Sequence, residues 1–187
     1  MVLSLYSRID HHSLVPLDRF EFPAIPNVTS PEGILNTRFL YYRGPRYDSD
    51  DVSGIISVEP PEAVAEYPAL VPEVDNDGND IDGLRSITLQ VPLGTYTGWN
   101  VRRAGFSEGD ACDLTGSYIP FAVTKAQRMQ SGDSRLSLEE RYGTLANYTA
   151  LATAAADQLV AQRLLLATDE AAAIESATNQ AQQAGLK

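Results

Sequence analysis

Apolar residues recur every three or four positions in the C-terminal part of the chain, which is the pattern of an amphipathic helix. The pattern predicts a long helix over residues 144–166, and several alanines add intrinsic helix propensity. One face of this helix holds Leu145, Tyr148, Ala152, Ala155, Leu159, Arg163 and Leu166. Acidic Asp169 and Glu170 open a last helix that runs to about residue 183, and we expect its polar end to fray.

Shorter helical segments are predicted just before the long helix. The sequence of residues 120–130 favours a short helix, with Ser117 or Pro120 near its start. Ser137 and Glu140 form a capping box, in which the serine hydroxyl and the glutamate each pair with a free backbone N–H. Gly143 ends that turn. We therefore expect residues 120–187 to form a helical region.

Residues 53–119 are expected to form a β-rich region. Strand-like segments lie at residues 54–59, 67–74, 84–91 and 95–101. Between the second and the third segment, Asp77 and Gly78 supply the positive φ that a tight hairpin turn demands. Prolines at positions 68, 72 and 92 have no N–H to donate, so we place these strands at sheet edges.

The N-terminal segment, residues 1–52, contains closely spaced prolines that exclude a helix of any length. Its residues 20–26 favour extended chain lying across a surface, with Phe20, Phe22 and Ile25 as candidates for burial. The three patterns together predict an α+β fold. Its parts are an extended proline-rich segment that packs on a larger body, a small antiparallel β-hairpin or sheet region, and C-terminal helices with a long helix and a helical hairpin.

Charge narrows the range of partners. The 187 residues carry a net charge of −11, and the first hundred hold 6 basic against 15 acidic groups. Binding a nucleic acid backbone needs a basic face, and an anionic membrane surface attracts basic segments, so we expect neither partner. No apolar run reaches the ~18 residues of a membrane span, and no signal-peptide pattern is seen, which leaves the compartment undetermined.

Two serine motifs suggest hydrolase chemistry but lack a base. Gly105 to Gly109 matches G-x-S-x-G around Ser107, whose mechanism requires a histidine later in the chain. The only histidines are His11 and His12, and a serine without a base is a poor nucleophile. Ser134, in Gly-Asp-Ser, is followed by arginine and leucine instead of the glycines of an oxyanion hole. We expect both serines to lie in ordinary loops, with no catalytic residue in this chain.

Metal and cofactor sites are not expected either. Residues 75–82 offer several carboxylates, but the twelfth position of an EF-hand loop would be Leu84, which cannot ligate calcium. A solvated hairpin tip is the preferred interpretation, and a weak calcium contact is the alternative. Adjacent histidines in an extended chain point to opposite sides, and the single Cys112 excludes an internal disulfide.

Aromatic residues are the remaining candidates for a site. The chain has nine tyrosines and one tryptophan, Trp99, which stands next to a glycine. The tryptophan is interpreted first as a packing anchor and second as a substrate platform. If the chain contributes to a substrate pocket, Tyr96, Trp99 and Tyr118 are the residues that we predict to face it.

Collinear motifs across nearly the whole chain resemble the C-terminal portion of a bacterial family of α/β hydrolase domain-containing proteins. The motifs in the first two thirds of the chain are Val15-Pro16-Leu17, Phe22-Pro-Ala-Ile-Pro26, Val58-Glu-Pro-Pro61, Tyr67-Pro68, Leu70-Val-Pro72, Val74-Asp75, Asp77-Gly-Asn79, Gly83-Leu-Arg85, Val91-Pro-Leu-Gly-Thr-Tyr-Thr-Gly-Trp-Asn100 and Leu114-Thr-Gly-Ser-Tyr-Ile-Pro-Phe-Ala122. Those of the last third are Thr124-Lys125, Ser137-Leu-Glu-Glu-Arg-Tyr-Gly143, Leu159-Val160 and Arg163-Leu-Leu165.

The resemblance implies ester or amide hydrolysis through an acyl-enzyme, by a serine and a histidine that lie upstream of these motifs. No residue here inherits a catalytic role, and Ser107 falls in a loop of the family pattern. We therefore expect a non-catalytic part that covers or braces a catalytic core, or that self-associates, and that meets a small neutral substrate only through that core. The alternative is a self-sufficient acidic binding module without hydrolase activity.

Overall fold

The structure is a computed structural model that describes residues 14–16, 20–28, 40–42, 63–66, 70–100, 102, 105–106 and 115–187. The strands in these ranges are β1 (Leu14–Pro16), β2 (Leu40–Tyr42), β3 (Ala63–Glu66), β4 (Leu70–Pro72), β5 (Gly94–Thr97) and β6 (Ser117–Pro120). The helices are α1 (Ile87–Gln90), α2 (Lys125–Ser131), α3 (Leu138–Tyr142), α4 (Leu145–Ala161) and α5 (Glu170–Gln183). This mixture confirms the predicted α+β class.

The described strands form three separate two-stranded antiparallel ladders. β1 pairs with β4, β2 with β3, and β5 with β6, in registers that place Leu14 opposite Pro72, Leu40 opposite Glu66 and Gly94 opposite Pro120. Among the described residues, each strand of such a pair has one unpaired edge, which suits the proline at the end of β4. The strand predicted at residues 54–59 lies outside the described residues.

The hairpin predicted between residues 67–74 and 84–91 is wrong. β4 pairs with the distant β1, and the second segment contains the short helix α1. Side chains hold this helical turn, because the Arg85 guanidinium donates to the Leu89 carbonyl at 2.6 Å and Gln90 Nε2 donates to the Arg85 carbonyl at 2.8 Å. The predicted turn is present, but of its two residues only Gly78 has a positive φ, +79°, and Asp77 does not.

The helix predicted at residues 120–130 begins later than expected. Pro120 ends strand β6, and α2 starts after Thr124, which forms a capping box with Gln127. Of the strand predicted at residues 95–101, residues 95–97 belong to β5, which pairs with β6, whereas residues 98–100 are not strand. Pairing with β5 thus gave residues 117–120 an extended structure that their own sequence did not indicate.

The C-terminal helices follow the prediction closely. Ser137 and Glu140 form the expected capping box of α3, and Gly143 ends it. The long helix α4 begins after its N-cap Thr144 and ends at Ala161, and Arg163 beyond it has φ +62°. The predicted apolar face is buried from Tyr148 to Leu159, whereas Arg163 and Leu166 beyond the helix are exposed.

The expectation that the C-terminus frays is wrong. Ala181 and Leu186 are buried, and the Leu145 backbone N–H donates to the Lys187 carbonyl at 2.9 Å. The last residues therefore close over the start of α4. Their polar composition misled the prediction, because the two apolar side chains at buried positions decide the packing.

One apolar core gathers α1, the segment before β5 and the C-terminal helices. Its buried members are Ile87, Val91, Leu93, Phe121, Leu138, Tyr142, Tyr148, Ala152, Ala155, Ala156, Leu159, Ala177, Ala181 and Leu186. Of the three N-terminal residues predicted to be buried, Ile25 is buried, and Phe20 and Phe22 are half-buried.

The predicted division of the chain into three regions, with boundaries at residues 52 and 119, stays a prediction. Within the described residues, no helix is both long and apolar enough to span a membrane.

Candidate functional site

Tyr96 and Tyr118 lie directly opposite each other in the β5–β6 ladder. Because directly opposed residues share one face of a ladder, their rings meet, with centroids 5.0 Å apart and planes 27° from parallel. The Tyr118 hydroxyl donates to the Leu93 carbonyl at 3.2 Å, and about half of this residue, 47%, is exposed. Burial raises the pKa of both phenols, so both stay protonated at neutral pH.

Trp99 contacts a different aromatic ring. Its ring packs against the Phe22 ring in an edge-to-face arrangement, with centroids 5.4 Å apart. Phe22 lies against Gly78, where an added Cβ would approach the Phe22 ring to 2.9 Å and the Thr95 methyl group to 3.0 Å. Side chains alternate along a strand, so Thr95 and Tyr96 point to opposite faces. The structure thus brings two of the three predicted pocket residues together, and their role at a pocket stays a prediction.

Three tyrosine hydroxyls bind three consecutive backbone carbonyls before β5. Tyr148 donates to Val91 at 3.3 Å, Tyr142 to Pro92 at 2.6 Å and Tyr118 to Leu93 at 3.2 Å. Burial raises the pKa of Tyr142 and raises that of Tyr148 to about 12. These phenols therefore act as neutral donors that hold residues 91–93. Sequence reasoning placed Tyr148 on a buried face but missed this shared use of the hydroxyls.

The Gly-Asp-Ser motif lies in the loop between α2 and α3, as predicted for Ser134. Asp133 and Arg135 form a buried ion pair there, with side chains 8% and 2% exposed and Nη2 and Oδ2 2.7 Å apart. Burial alone would raise the pKa of Asp133, but hydrogen bonds from the Arg135 side chain and backbone lower it below the usual value. The Ser134 hydroxyl donates to the Ala24 carbonyl at 3.3 Å.

Arg135 joins this loop to the β5–β6 ladder. Its Nη1 donates to the Thr95 hydroxyl at 2.8 Å and to the Ile119 carbonyl at 3.1 Å, and its Nη2 donates to the Pro120 carbonyl at 3.3 Å. The guanidinium also lies over the Phe121 ring, 5.1 Å from its centroid. Because its N–H groups already donate to partners within the protein, we assign this arginine a structural role.

The acidic turn at residues 75–79 is held by its own arginine partners. Asp75 Oδ1 accepts from the backbone N–H groups of Asp77 and Asn79, and its Oδ2 lies 3.3 Å from Arg85 Nη2. Asp77 is paired with Arg141.

Guanidinium groups thus pair with the carboxylates of Asp75 and Asp77, two of the groups that the alternative of a calcium contact would need. Among the described residues, no three His, Cys, Asp or Glu side chains converge as a metal site would require.

Buried Asn79 connects this turn to β5. Its side-chain Nδ2 donates to the Gly94 carbonyl at 3.1 Å, and its Oδ1 accepts from the Tyr96 backbone N–H at 2.8 Å. The Thr95 hydroxyl completes the connection by donating to the Asp77 carbonyl. The turn, β5 and the α2–α3 loop therefore form one polar network, which passes from Asn79 and Asp77 through Thr95 to Arg135.

The described part of the chain includes an apolar groove and an acidic one. The leucine groove, of about 300 Å³, lies between α1 and the C-terminal helices, and its lining includes Leu84, Ile87, Leu159, Leu164, Ala173 and Ser176. The acidic groove, of about 480 Å³, lies beside the 75–79 turn and is lined by residues such as Phe20, Glu21, Glu73 and Asp75. Tyr96, Trp99 and Tyr118 line neither groove.

Four residues discussed in the sequence analysis lie outside the described residues: Ser107, Cys112, His11 and His12.

Comparison with known proteins identifies one family. A family model described as "Alpha/beta hydrolase domain" matches residues 43–175, which is most of the chain. No curated protein and no solved structure is significantly similar to the chain.

Proposed function

Because the chain belongs to the alpha/beta hydrolase domain family, we propose that it is a non-catalytic part of a serine-hydrolase-type protein. In this role it covers or braces a core, supplied elsewhere, that hydrolyses an ester or an amide. The core provides the serine, the histidine and the acid of an acyl-enzyme mechanism. This chain contributes cover, pocket shape and stability, and any small neutral substrate meets it only at that core.

The position of the histidines is the observation that carries the proposal. In α/β hydrolases the nucleophilic serine precedes the acid and then the histidine in the chain. Here both histidines, His11 and His12, precede Ser107 and Ser134. Within these 187 residues, neither serine is therefore followed by a histidine that could act as the base of this mechanism.

The chemistry of the described residues supports the same role. Asp133, next to Ser134, has both carboxylate oxygens engaged by Arg135, and its lowered pKa makes it a weak base. The described strands pair only in antiparallel two-stranded ladders. A nucleophile elbow instead needs a strand-to-helix turn at the top of a larger sheet.

Serine-directed labelling tests the proposal. The purified chain, Ser107→Ala and Ser134→Ala would be incubated with a fluorophosphonate probe, and p-nitrophenyl butyrate hydrolysis would be measured in parallel. We expect labelling of the chain to equal that of the two variants, with no hydrolysis above background. Stoichiometric labelling that disappears in Ser107→Ala, together with enzyme-like turnover, would overturn the proposal.

The packing of the C-terminal half favours a second candidate, a self-sufficient acidic binding module. Leu138, Tyr148, Ala152 and Ala181 are essentially inaccessible to solvent, and they share one core with α1 and the segment before β5. Thermal unfolding and light scattering separate the two candidates. A monomer with one sharp transition supports the independent module, whereas self-association through exposed apolar surface supports a part built to pack on a core.

A further inference from the structure

The leucine groove combines an apolar floor with exposed apolar walls. Ile87 and Leu159 at its floor are buried, whereas Leu84 and Leu164 are 60% and 47% exposed. Burying exposed leucine surface is favourable in water, so an apolar occupant gains free energy from both walls. The groove is therefore better suited to a ligand than to bulk water.

The lining of the groove also favours an uncharged ligand. The chain carries 25 acidic and 14 basic side chains, yet none of the described residues that line the groove is charged. Hydroxyl and amide groups of Ser86, Thr88, Ser176 and Gln180 supply its polar positions. An anion would find no cation among these lining residues and would be repelled by the acidic protein. A neutral molecule with one hydrogen-bonding group fits both features.

The size of the groove favours a small molecule over a protein segment. Eleven residues line it, whereas a specific protein interface uses about 20–30 residues on each side. Its volume of about 300 Å³ lies at the lower end of small-molecule pockets. A cavity of about 150 Å³ accepts benzene, so twice that volume accepts a chain of about eight to ten carbon atoms.

From these features we infer that the leucine groove is a binding site for a neutral aliphatic molecule of medium chain length. The aliphatic chain lies between Leu84 and Leu164 over Ile87 and Leu159. Its polar end group bonds to the hydroxyl and amide positions of the lining. This inference does not depend on the proposed function, because it invokes no catalytic core.

Titration with 1-octanol, followed by the leucine methyl signals in NMR spectra of the full chain, tests the site. We expect saturable one-to-one shifts at Leu84, Leu159 and Leu164. Ser176→Phe fills the groove from an exposed position on α5 and should weaken binding at least tenfold. Ala171→Phe, an exposed position on the opposite side of α5 and outside the lining, is the matched control and should bind as the unmodified chain does.

Sodium octanoate tests the charge preference and should bind at least tenfold more weakly than 1-octanol. If Ser176→Phe fails to fold, as judged by circular dichroism, Leu164→Glu replaces it and should also weaken binding at least tenfold. Shifts that do not saturate, or equal octanol binding in the chain and in the groove variant, would contradict the inference. Dimers that dissociate on Ser176→Phe would contradict it as well, because the groove would then be a protein interface.

Discussion

At the scale of single residues, two buried positions determine how the polar network is held. Arg135 binds Asp133, Thr95 and two strand carbonyls at once, so its charge is compensated within the protein. Gly78 forms the turn that carries Asp77, at a φ that is rarely accessible to other residues.

Arg135→Met should be strongly destabilising, because it leaves the buried Asp133 carboxylate without its partner. Breaking a buried ion pair by removing one partner costs about 3–5 kcal/mol. Urea unfolding measures this change. Arg135→Met combined with Asp133→Asn should recover part of the loss, and Lys125→Met, at an exposed position, should change stability by less than about 0.5 kcal/mol. Equal effects of Arg135→Met and Lys125→Met would refute the assigned role.

Gly78→Ala should cost more than Gly83→Ala, although both glycines have φ near +80°. An added Cβ at Gly78 meets the Phe22 ring at 2.9 Å, whereas nothing lies within 4 Å at Gly83. Backbone strain alone costs about 1–2 kcal/mol, and the steric contact adds about 1 kcal/mol or more at Gly78. Thermal unfolding of the two variants gives the difference. Equal losses would show that Phe22 moves aside freely.

At the scale of elements, helix caps position the loops of the polar network. The Ser137 hydroxyl accepts from the Glu140 backbone N–H, and Glu140 in turn bonds Ser137 and the Arg128 guanidinium. The carboxylate therefore connects the start of α3 with α2. Hydrogen bonds from Arg128 and then Ser137 lower the pKa of Glu140 to about 2.

This lowered pKa predicts how stability depends on pH. In the unfolded chain Glu140 titrates near 4.5, and in the folded protein near 2. Its stabilising contribution is therefore complete above about pH 4.5 and is lost as the pH falls towards 2. Urea midpoints of the chain and of Glu140→Gln should differ clearly at pH 6 and converge near pH 2. A constant difference across this range would contradict the assigned ion pair.

At the scale of the whole molecule, the chain end completes the core. The last helix packs on α4, and Leu186 beyond it is 4% exposed. The Lys187 carbonyl accepts from the first residue of α4. The helical hairpin is thus closed by residues that follow it.

Leu186→Ala should destabilise the whole molecule. A buried leucine replaced by alanine costs about 2–5 kcal/mol, through lost burial and the cavity that remains. Leu166→Ala is the control, because Leu166 is 68% exposed, and it should change stability by less than about 0.5 kcal/mol. Calorimetry of both variants provides the comparison. If Leu186→Ala and Leu166→Ala lowered stability equally, the role of Leu186 in completing the core would be refuted.

Local patterns in the sequence were sufficient for the features that depend on neighbouring residues. The capping box at Ser137, the apolar face of α4 from Tyr148 to Leu159 and the turn at Gly78 all rest on contacts or dihedral preferences within a few positions. The same holds for the expectation that Ser134 lies in a loop between helices. These features could be predicted because their physical causes lie in the same short segment.

Only the tertiary structure decided which distant segments meet. β4 pairs with β1 and not with residues 84–91, and residues 117–120 are extended because β5 pairs with them. Arg135 seemed only to interrupt a serine motif, yet burial beside Asp133 and Thr95 makes it the centre of the polar network. The free energy of such contacts comes from groups far apart in the chain, so no local pattern of residues reveals it.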